Sequence, residues 1–437
     1  MSDSKSIARQ IFHRTLVSID IPHAMQRKLQ IDGKHLVLSD KLVDLSDISR
    51  ACIIAIGKAA HAMAVGLHDL LPASLRCRGI VSAPTAPTLP LPGFVYFVSG
   101  HPTPDEQSWR AAEAILGLLH ECDDRTLIFF LLSGGGSALV ELPLDPLLRL
   151  EEVQQLHRTL VTCGAPIESV NIVRKHLSAV KGGRLAVAAG SATKITLAVT
   201  DVPVGRESSL ASGPSLPDPS TTADVQGIIS RYDLRARFPE ALLRWLDADQ
   251  MTETPKHSHP AFANTHFVLL LGMHDLFHAA HHASESRGYI THCDNSTDDW
   301  PIQEAANSLL SRLDDWQRGN PRQRVALIAD GEVASPVTGN GKGGRNSAFV
   351  LACVEKIANR KITVLSAGTD GMDGNSLAAG AVADGQSLAR ADALGLDASS
   401  YFQQSDAYTF FEKLGDAIIT GPTNNNLRDL RIFLSEP

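Results

Sequence analysis

TLIFFLLSGGGSAL, residues 126–139, joins an apolar run to three glycines bracketed by serines. A short run with no alternation of apolar and polar residues is the mark of a strand covered on both faces, as in a parallel sheet. The glycines that follow let the backbone come close to an anion. Consecutive N–H groups and the start of the next helix add partial positive charge there. An ordinary strand-to-helix turn uses the same residues. The chain contains no G-x-x-x-x-G-K-[ST], so the loop is not a P-loop.

Outward from this stretch, similar runs recur: ACIIAI (51–56), FVYFV (94–98), KITLAV (194–199), FVLLL (267–271), VALIA (325–329), KITVLS (361–366) and AIIT (417–420). With helical stretches between them they define an α/β chain. A polar, proline-bearing stretch, DADQMTETPKHSHP (247–260), separates two sets of strands. The expectation is two domains, each with a mainly parallel sheet covered by helices: a Rossmann-like domain over 1–255 and a smaller one over 256–437. Polar or glycine-rich residues follow most runs, as in Gly57-Lys58, Thr200-Asp201, Asp330-Gly331-Glu332, Gly368-Thr369-Asp370 and Gly421-Pro422-Thr423. Ligands of open α/β sheets bind beyond the carboxyl ends of the strands, so one site assembled from several loops is expected.

Composition narrows the ligand. A chain of 437 residues with net charge −8 has no diffuse cationic field, which argues against nucleic acid or an acidic membrane surface as partner. Any anion must be held by local groups. Six cysteines without a C-x-x-C pair fit a reducing, cytoplasmic setting. The first thirty residues carry no signal-peptide core, and no apolar run is long enough to span a bilayer.

Candidate groups follow. Lys58 opens a helical pattern of small and apolar residues; a cation there opposes the helix dipole, so either an anion is shared with the helix end or the lysine is solvated. VRKHLSAVKGGRLA (173–186) gathers Arg174, Lys175, His176, Lys181 and Arg184 around two glycines, either framing an anion or forming a solvated face. Asp201 and Asp370 each sit past a strand, placed to anchor Mg²⁺, to accept a hydroxyl proton or to cap a helix. Glu332 and Asp373 are weaker versions of the same case. His274, His278, His281 and His282 stand at helical spacing, but no glutamate completes H-E-x-x-H, and a solvated helix face is the better reading.

VTGNGKGGRNSAF (337–349) matches the dinucleotide spacing G-x-G-x-x-G at Gly339, Gly341 and Gly344. Lys342 and Arg345 crowd a pyrophosphate approach, and no acid ends the next strand, so a dinucleotide loop is a poor fit. Arg345 can instead meet a carboxylate or phosphate with two parallel hydrogen bonds.

Together these motifs resemble the glycerate 2-kinases of the MOFRL family, older label hydroxypyruvate reductase, from about residue 7 to 433. The resemblance is carried by IGKAA (56–60), GHPTPDE (100–106), SGGGSAL (133–139), NIVRKHLSAVKGGRLA (171–186), TDV (200–202), ASGPSLPDPST (211–221), DGE (330–332), TGNGKGGRN (338–346), AGTDGMDG (367–374) and AYTFFEKLGDAIITGPT (407–423). It implies transfer of phosphate from ATP, with Mg²⁺, to the 2-hydroxyl of D-glycerate, in a cleft between the two domains. It implies Lys58, Asp201 and Arg345 as catalytic residues, with Lys58 and Arg345 also on the substrate. Ser133, Gly134, Gly135, Gly136, Ser137, Lys181, Gly341, Gly343 and Gly344 would take the nucleotide phosphates, and Asp201, Asp370 and Glu332 the metal. A homodimer is compatible with it. The chain departs from the family pattern at Arg206, Ala348, Asn424, Asn425 and Arg428, and at Gly272-Met273-His274. These changes lose two acids and gain cations, which would either weaken metal binding or suit a more anionic acceptor; the expectation is a divergent member acting on D-glycerate or a close 2-hydroxy sugar acid. The alternatives are a nicotinamide-dependent hydroxypyruvate reductase, or a relative that binds nucleotide without catalysis.

Overall fold

A computed structural model describes residues 4–38, 41–200, 202, 205–423, 425 and 427–437. The chain forms two compact units, Ile21–Leu270 and a second made of Met1–Asp20 with Leu271–Pro437.

In the first unit a small antiparallel sheet, β1 (Leu29–Asp32), β2 (His35–Leu38) and β3 (Lys41–Asp44), precedes the main one. The main sheet holds β4 (Arg50–Ile56), β5 (Arg76–Ala83), β6 (Phe94–Val98), β7 (Thr126–Leu132), β8 (Thr193–Val199) and β9 (Thr265–Leu271), in the order β6-β5-β4-β7-β8-β9. The pairs from β6 through β8 are parallel. All seven residues of β7 are buried, as its unbroken apolar run requires. Helix Glu106–His120 covers one face, with Ala111, Ala112, Ile115 and Leu119 at helical spacing against Ile54, Ile128 and Phe130. Its start is fixed by Asp105, which accepts the Ser108 N–H at 2.9 Å.

The second unit holds β10 (Ile290–Asp294), β11 (Val325–Asp330), β12 (Ile362–Gly368), β13 (Gly380–Asp384), β14 (Ala417–Ile418) and β15 (Asp429–Ser435), ordered β10-β11-β15-β12-β13-β14. The α/β architecture is as expected, but this sheet is not mainly parallel. Only β10 and β11 pair in parallel; β15 runs antiparallel between β11 and β12, and β13 and β14 are antiparallel as well. The reversal has a cause in the connections. β12 and β13 are joined by a loop with no crossover helix.

The units also divide elsewhere than at 255. Helix Ser4–Ser18 belongs with the second unit: Lys5 Nζ is 3.1 Å from Asp416, and Arg9 donates to the Ala417 carbonyl at 3.0 Å. The polar stretch 247–260 folds back on the first unit. There Thr254 Oγ1 donates to buried Asp218 at 3.0 Å, and Lys194 Nζ donates to the Ala261 carbonyl at 3.0 Å.

Candidate active site

In the first unit the ends of β4 and β7 lock together. The Ser133 N–H donates to Ile56 O at 3.0 Å, the Lys58 N–H to Gly134 O at 2.9 Å, and the Ala59 N–H to Ser133 Oγ at 3.0 Å. Gly57, at φ +131°, has no room for a methyl, which would stand 2.1 Å from Ser133 Oγ. Ser133 is fully buried and braces the turn. Gly134, Gly135 and Ser137 are half-buried, and Lys58 is exposed beside them. A Cβ on Gly135, at φ +85°, would meet the His101 ring at 3.1 Å and Lys58 Cγ at 3.5 Å. The lysine stem and the imidazole thus converge on this glycine. Burial, then the neighbouring Lys58 charge, lowers the His101 pKa and favours the neutral ring. His101 was not among the expected site residues. Its only signal is its place in GHPTPDE, just past β6.

Behind the loop, Ser137 Oγ is 2.8 Å from Ser212 Oγ, which donates to Asn171 at 3.2 Å. Ala211 and Ser212 both take positive φ, 50° and 59°, an unfavourable conformation for residues with a Cβ. The bend brings Ala211 under Gly136, where an added methyl would be 2.6 Å from the Ala211 Cβ.

Lys181 is placed differently from the expectation. It is 1% exposed, and its ammonium donates to Glu141 at 2.6 Å and to Val140 O at 3.1 Å. Glu141 also accepts Ser178 Oγ at 2.6 Å and lies 2.8 Å from His157 Nε2. Burial opposes ionisation of Glu141, but Lys181 and His157 outweigh it and hold the carboxyl down to about 2. A cation so committed stands inside the unit, behind the loop. Lys175 is likewise tied to Asp218 at 3.1 Å. Asp201 lies outside the described residues.

In the second unit the antiparallel register sets Gly368 opposite Asp429 and Asp330 opposite Leu430, bringing three chain segments to one sheet end. Arg345, first residue of helix Arg345–Val354, places Nε 2.5 Å from Asp429 and a terminal nitrogen 2.6 Å from Glu332. Burial works against its charge, but Asp429 and Glu332 outweigh that and raise its pKa. Two of five N–H donors carry these bonds, which leaves the guanidinium able to take a further anion.

The glycines before Arg345 face the chain itself. A methyl on Gly341 would stand 2.4 Å from Asp406 Cβ, and one on Gly344 2.3 Å from Asp373 Oδ1. Asp373 accepts the N–H groups of Gly344, Asn346 and Ser347 at 3.2, 2.9 and 2.8 Å. An internal carboxylate thus occupies the helix N-terminus where Gly341, Gly343 and Gly344 were expected to take phosphate.

Asp370 Oδ1 accepts the Met372 N–H at 3.0 Å, turning back on its own loop. Glu332 is engaged by Arg345. Asp330 is fully buried, its carboxylate without a hydrogen-bond partner among the described residues and 3.6 Å from Arg428. Burial pushes its pKa up to about 6, against the pull of Arg428. Arg428 also pairs with Asp298, and Arg206 with Glu168 at 2.5 Å, so both gained cations already have carboxylate partners. Among the described residues no group of three or more His, Cys, Asp or Glu side chains could hold a metal, and no helix is long and apolar enough to cross a membrane.

These sites sit in a chain whose relatives are known. Residues 7–247 match the family described as Domain of unknown function (DUF4147), and residues 325–429 match the MOFRL family. The chain belongs to the DUF4147 family and carries a MOFRL segment. It is similar to D-glycerate 2-kinase of Thermotoga maritima, 34% identical over 391 residues, covering 89% of this chain and 91% of that one. A protein of Agrobacterium vitis with a provisional hydroxypyruvate reductase name is 33% identical over 88% of this chain and 87% of its own. The crystal structure of glycerate kinase from Thermotoga maritima superposes with TM-score 0.84 at 31% identity, covering 98% of this chain and 99% of that one.

Proposed function

We propose that this protein transfers the γ-phosphoryl group of ATP to the 2-hydroxyl of D-glycerate. The observation that carries the reading is the convergence of Lys58 and His101 on Gly135 of the loop at the end of β7. The relatives named glycerate 2-kinase supply the reaction class. In the transfer the substrate hydroxyl oxygen forms a bond to phosphorus, the bridging bond to ADP breaks, and the hydroxyl proton departs. Phosphoryl transfer asks a protein mainly for position and compensating charge. Lys58 offers the charge at the mouth of the loop, and the N–H groups of Gly135, Gly136 and Ser137 add donors. Arg345 receives the glycerate carboxylate or a phosphate oxygen with donors not used by Asp429 and Glu332. Asp201 serves as proton acceptor or metal anchor.

Mg²⁺ is commonly held by one or two carboxylates together with substrate phosphates. Asp370 and Glu332 do not fit as its anchors where they stand, since one closes its own loop and the other pairs with Arg345. In this reading the metal arrives with the nucleotide, and no step is assigned to those two residues. A cytoplasmic setting and a homodimer belong to the same proposal.

The test gives purified protein D-glycerate, ATP and Mg²⁺, and in parallel hydroxypyruvate and NADH, while 2-phosphoglycerate, 3-phosphoglycerate and NADH are followed. The expected result is 2-phosphoglycerate without NADH loss. NADH oxidation would favour the reductase reading, and silence in both assays the non-catalytic one.

A further inference from the structure

At the other end of the second unit's sheet lies a cavity of about 860 Å³, unconnected with the residues assigned above. It is lined by residues just before β11 and β12 and just after β13 and β15. Val325 and Asp330 mark the two ends of β11, so roughly 17 Å of strand separates it from the Arg345 end. The size is ordinary for a small-molecule site.

Its charged lining is Arg287, Arg324, Arg360, Lys361, Asp384 and Glu436, four cations against two acids. The acids are already matched. Glu436 accepts Arg324 Nε at 2.7 Å, and Asp384 lies 3.7 Å from Lys5 Nζ. Arg360 pairs with Asp314, which is outside the lining. Lys361 donates to a Pro437 main-chain oxygen at 2.7 Å, and among the described residues no Asp or Glu lies within ion-pair distance of it. Arg287, on the turn after helix Met273–Glu285, is the group left over: its Nε is shielded from solvent and has no hydrogen-bond partner among the described residues. The floor is rigid, because Gly385 packs so closely that a methyl would stand 2.0 Å from Arg360 O, and its carbonyl accepts the Asn359 N–H at 2.8 Å. Ile7 and Ile362 add apolar wall.

We infer that this cavity is a second ligand site, which binds a small molecule bearing two or more negative charges, as phosphate or clustered carboxylate, through Arg287 and Lys361. A guanidinium fork matches either oxyanion with two parallel bonds, and the ammonium supplies a second point charge. The isoleucines suit a short carbon skeleton between the charged ends. An effector of the enzyme, acting at a distance from the reacting groups, has this chemistry.

Calorimetry on the full chain tests the inference, with pyrophosphate and citrate as separate probes and glycerol as the uncharged control. The wild-type chain and Lys58→Ala should both bind at least one of the two anions at this site. Arg287→Gln should weaken that event at least tenfold, and Arg287→Gln with Lys361→Gln should remove it. Pyrophosphate alone would identify a phosphate ligand, and citrate alone a polycarboxylate. Lys361→Glu, on an exposed side chain, repeats the test should Arg287→Gln lower the melting temperature. Failure of both anions to bind the wild type, or equal binding by the Arg287 and Lys361 variants, overturns it. Neither result bears on the kinase assay, which reads different residues.

Discussion

At Gly135 the loop lies under Lys58 and His101, and at Gly341 and Gly344 it lies against two aspartates. Gly135 carries positive φ, and the backbone there passes beneath the His101 ring and the Lys58 stem. Gly341 and Gly344 instead let Asp406 and Asp373 approach, and Asp373 takes the helix N–H groups that a phosphate would otherwise use. The same residue types thus meet a lysine stem and an imidazole in one unit and aspartates in the other. What separates them is where the nearest carboxylate lies.

The comparison breaks most readily at the cations. Lys58→Ala should cut kcat for D-glycerate on the order of 10³-fold, because a charge facing the transferred group is lost; Arg345→Ala should come close to it. Near-normal kcat in both variants would remove the active-site assignment. Next in size is Lys181→Met. Leaving Glu141 buried without its cation should cost about 3–5 kcal/mol of stability, read by urea unfolding, while KM for ATP in the folded protein stays within a few-fold. A large KM change with intact stability would return Lys181 to the phosphate site.

The glycines themselves sharpen the contrast. Gly344→Ala presses on Asp373 and the Gly374 N–H, so it should lower stability by about 1–3 kcal/mol with kcat of the folded enzyme little changed. Gly135→Ala should do the reverse, reducing kcat/KM more than melting temperature. Equal effects in both would mean the two loops are not functionally distinct. The smallest effect is with pH. Glu141 is held at about 2, below its ordinary 4.5, so its contribution is present above 4.5 and is lost as pH falls from there towards 2. Melting temperature should drop across that window, and less in Glu141→Gln.

Much of this was legible in the sequence. The runs that became β4, β6, β7, β8, β9, β11 and β12 are unbroken and apolar, and in β4, β7, β8, β11 and β12 nearly every position is buried as that implies, whereas the edge strand β6 is not. β5 and β15 were not legible, because RCRGIVSA and DLRIFLS carry charges that read as surface. In β15 the charge is inside: Arg431 is fully buried, donates to Asp330 O and Gly331 O at 3.2 and 2.7 Å, and lies over the Phe349 ring. Missing that strand hid the reversed pairing and with it the approach of Asp429 to Arg345. Lys58 and the loop at 133–137 could be found because they follow a strand directly. His101 and Glu141 could not, since a partner set by three-dimensional approach leaves no spacing to count. The same holds for the carboxylate that caps Arg345's helix, 27 residues beyond Asn346.

Helix Ser4–Ser18 has a consequence in the order of synthesis. Its buried face, Ile7, Ala8, Ile11 and Phe12, packs with strands that leave the ribosome more than 300 residues later. Residues 21–270 can gather their own core while that helix waits with its apolar side uncovered. A fragment beginning at 256 would lack the helix altogether and expose the face of β12 and β15 that it covers. The last unit to be made is thus finished by the first helix, so the two ends of the polypeptide mature together.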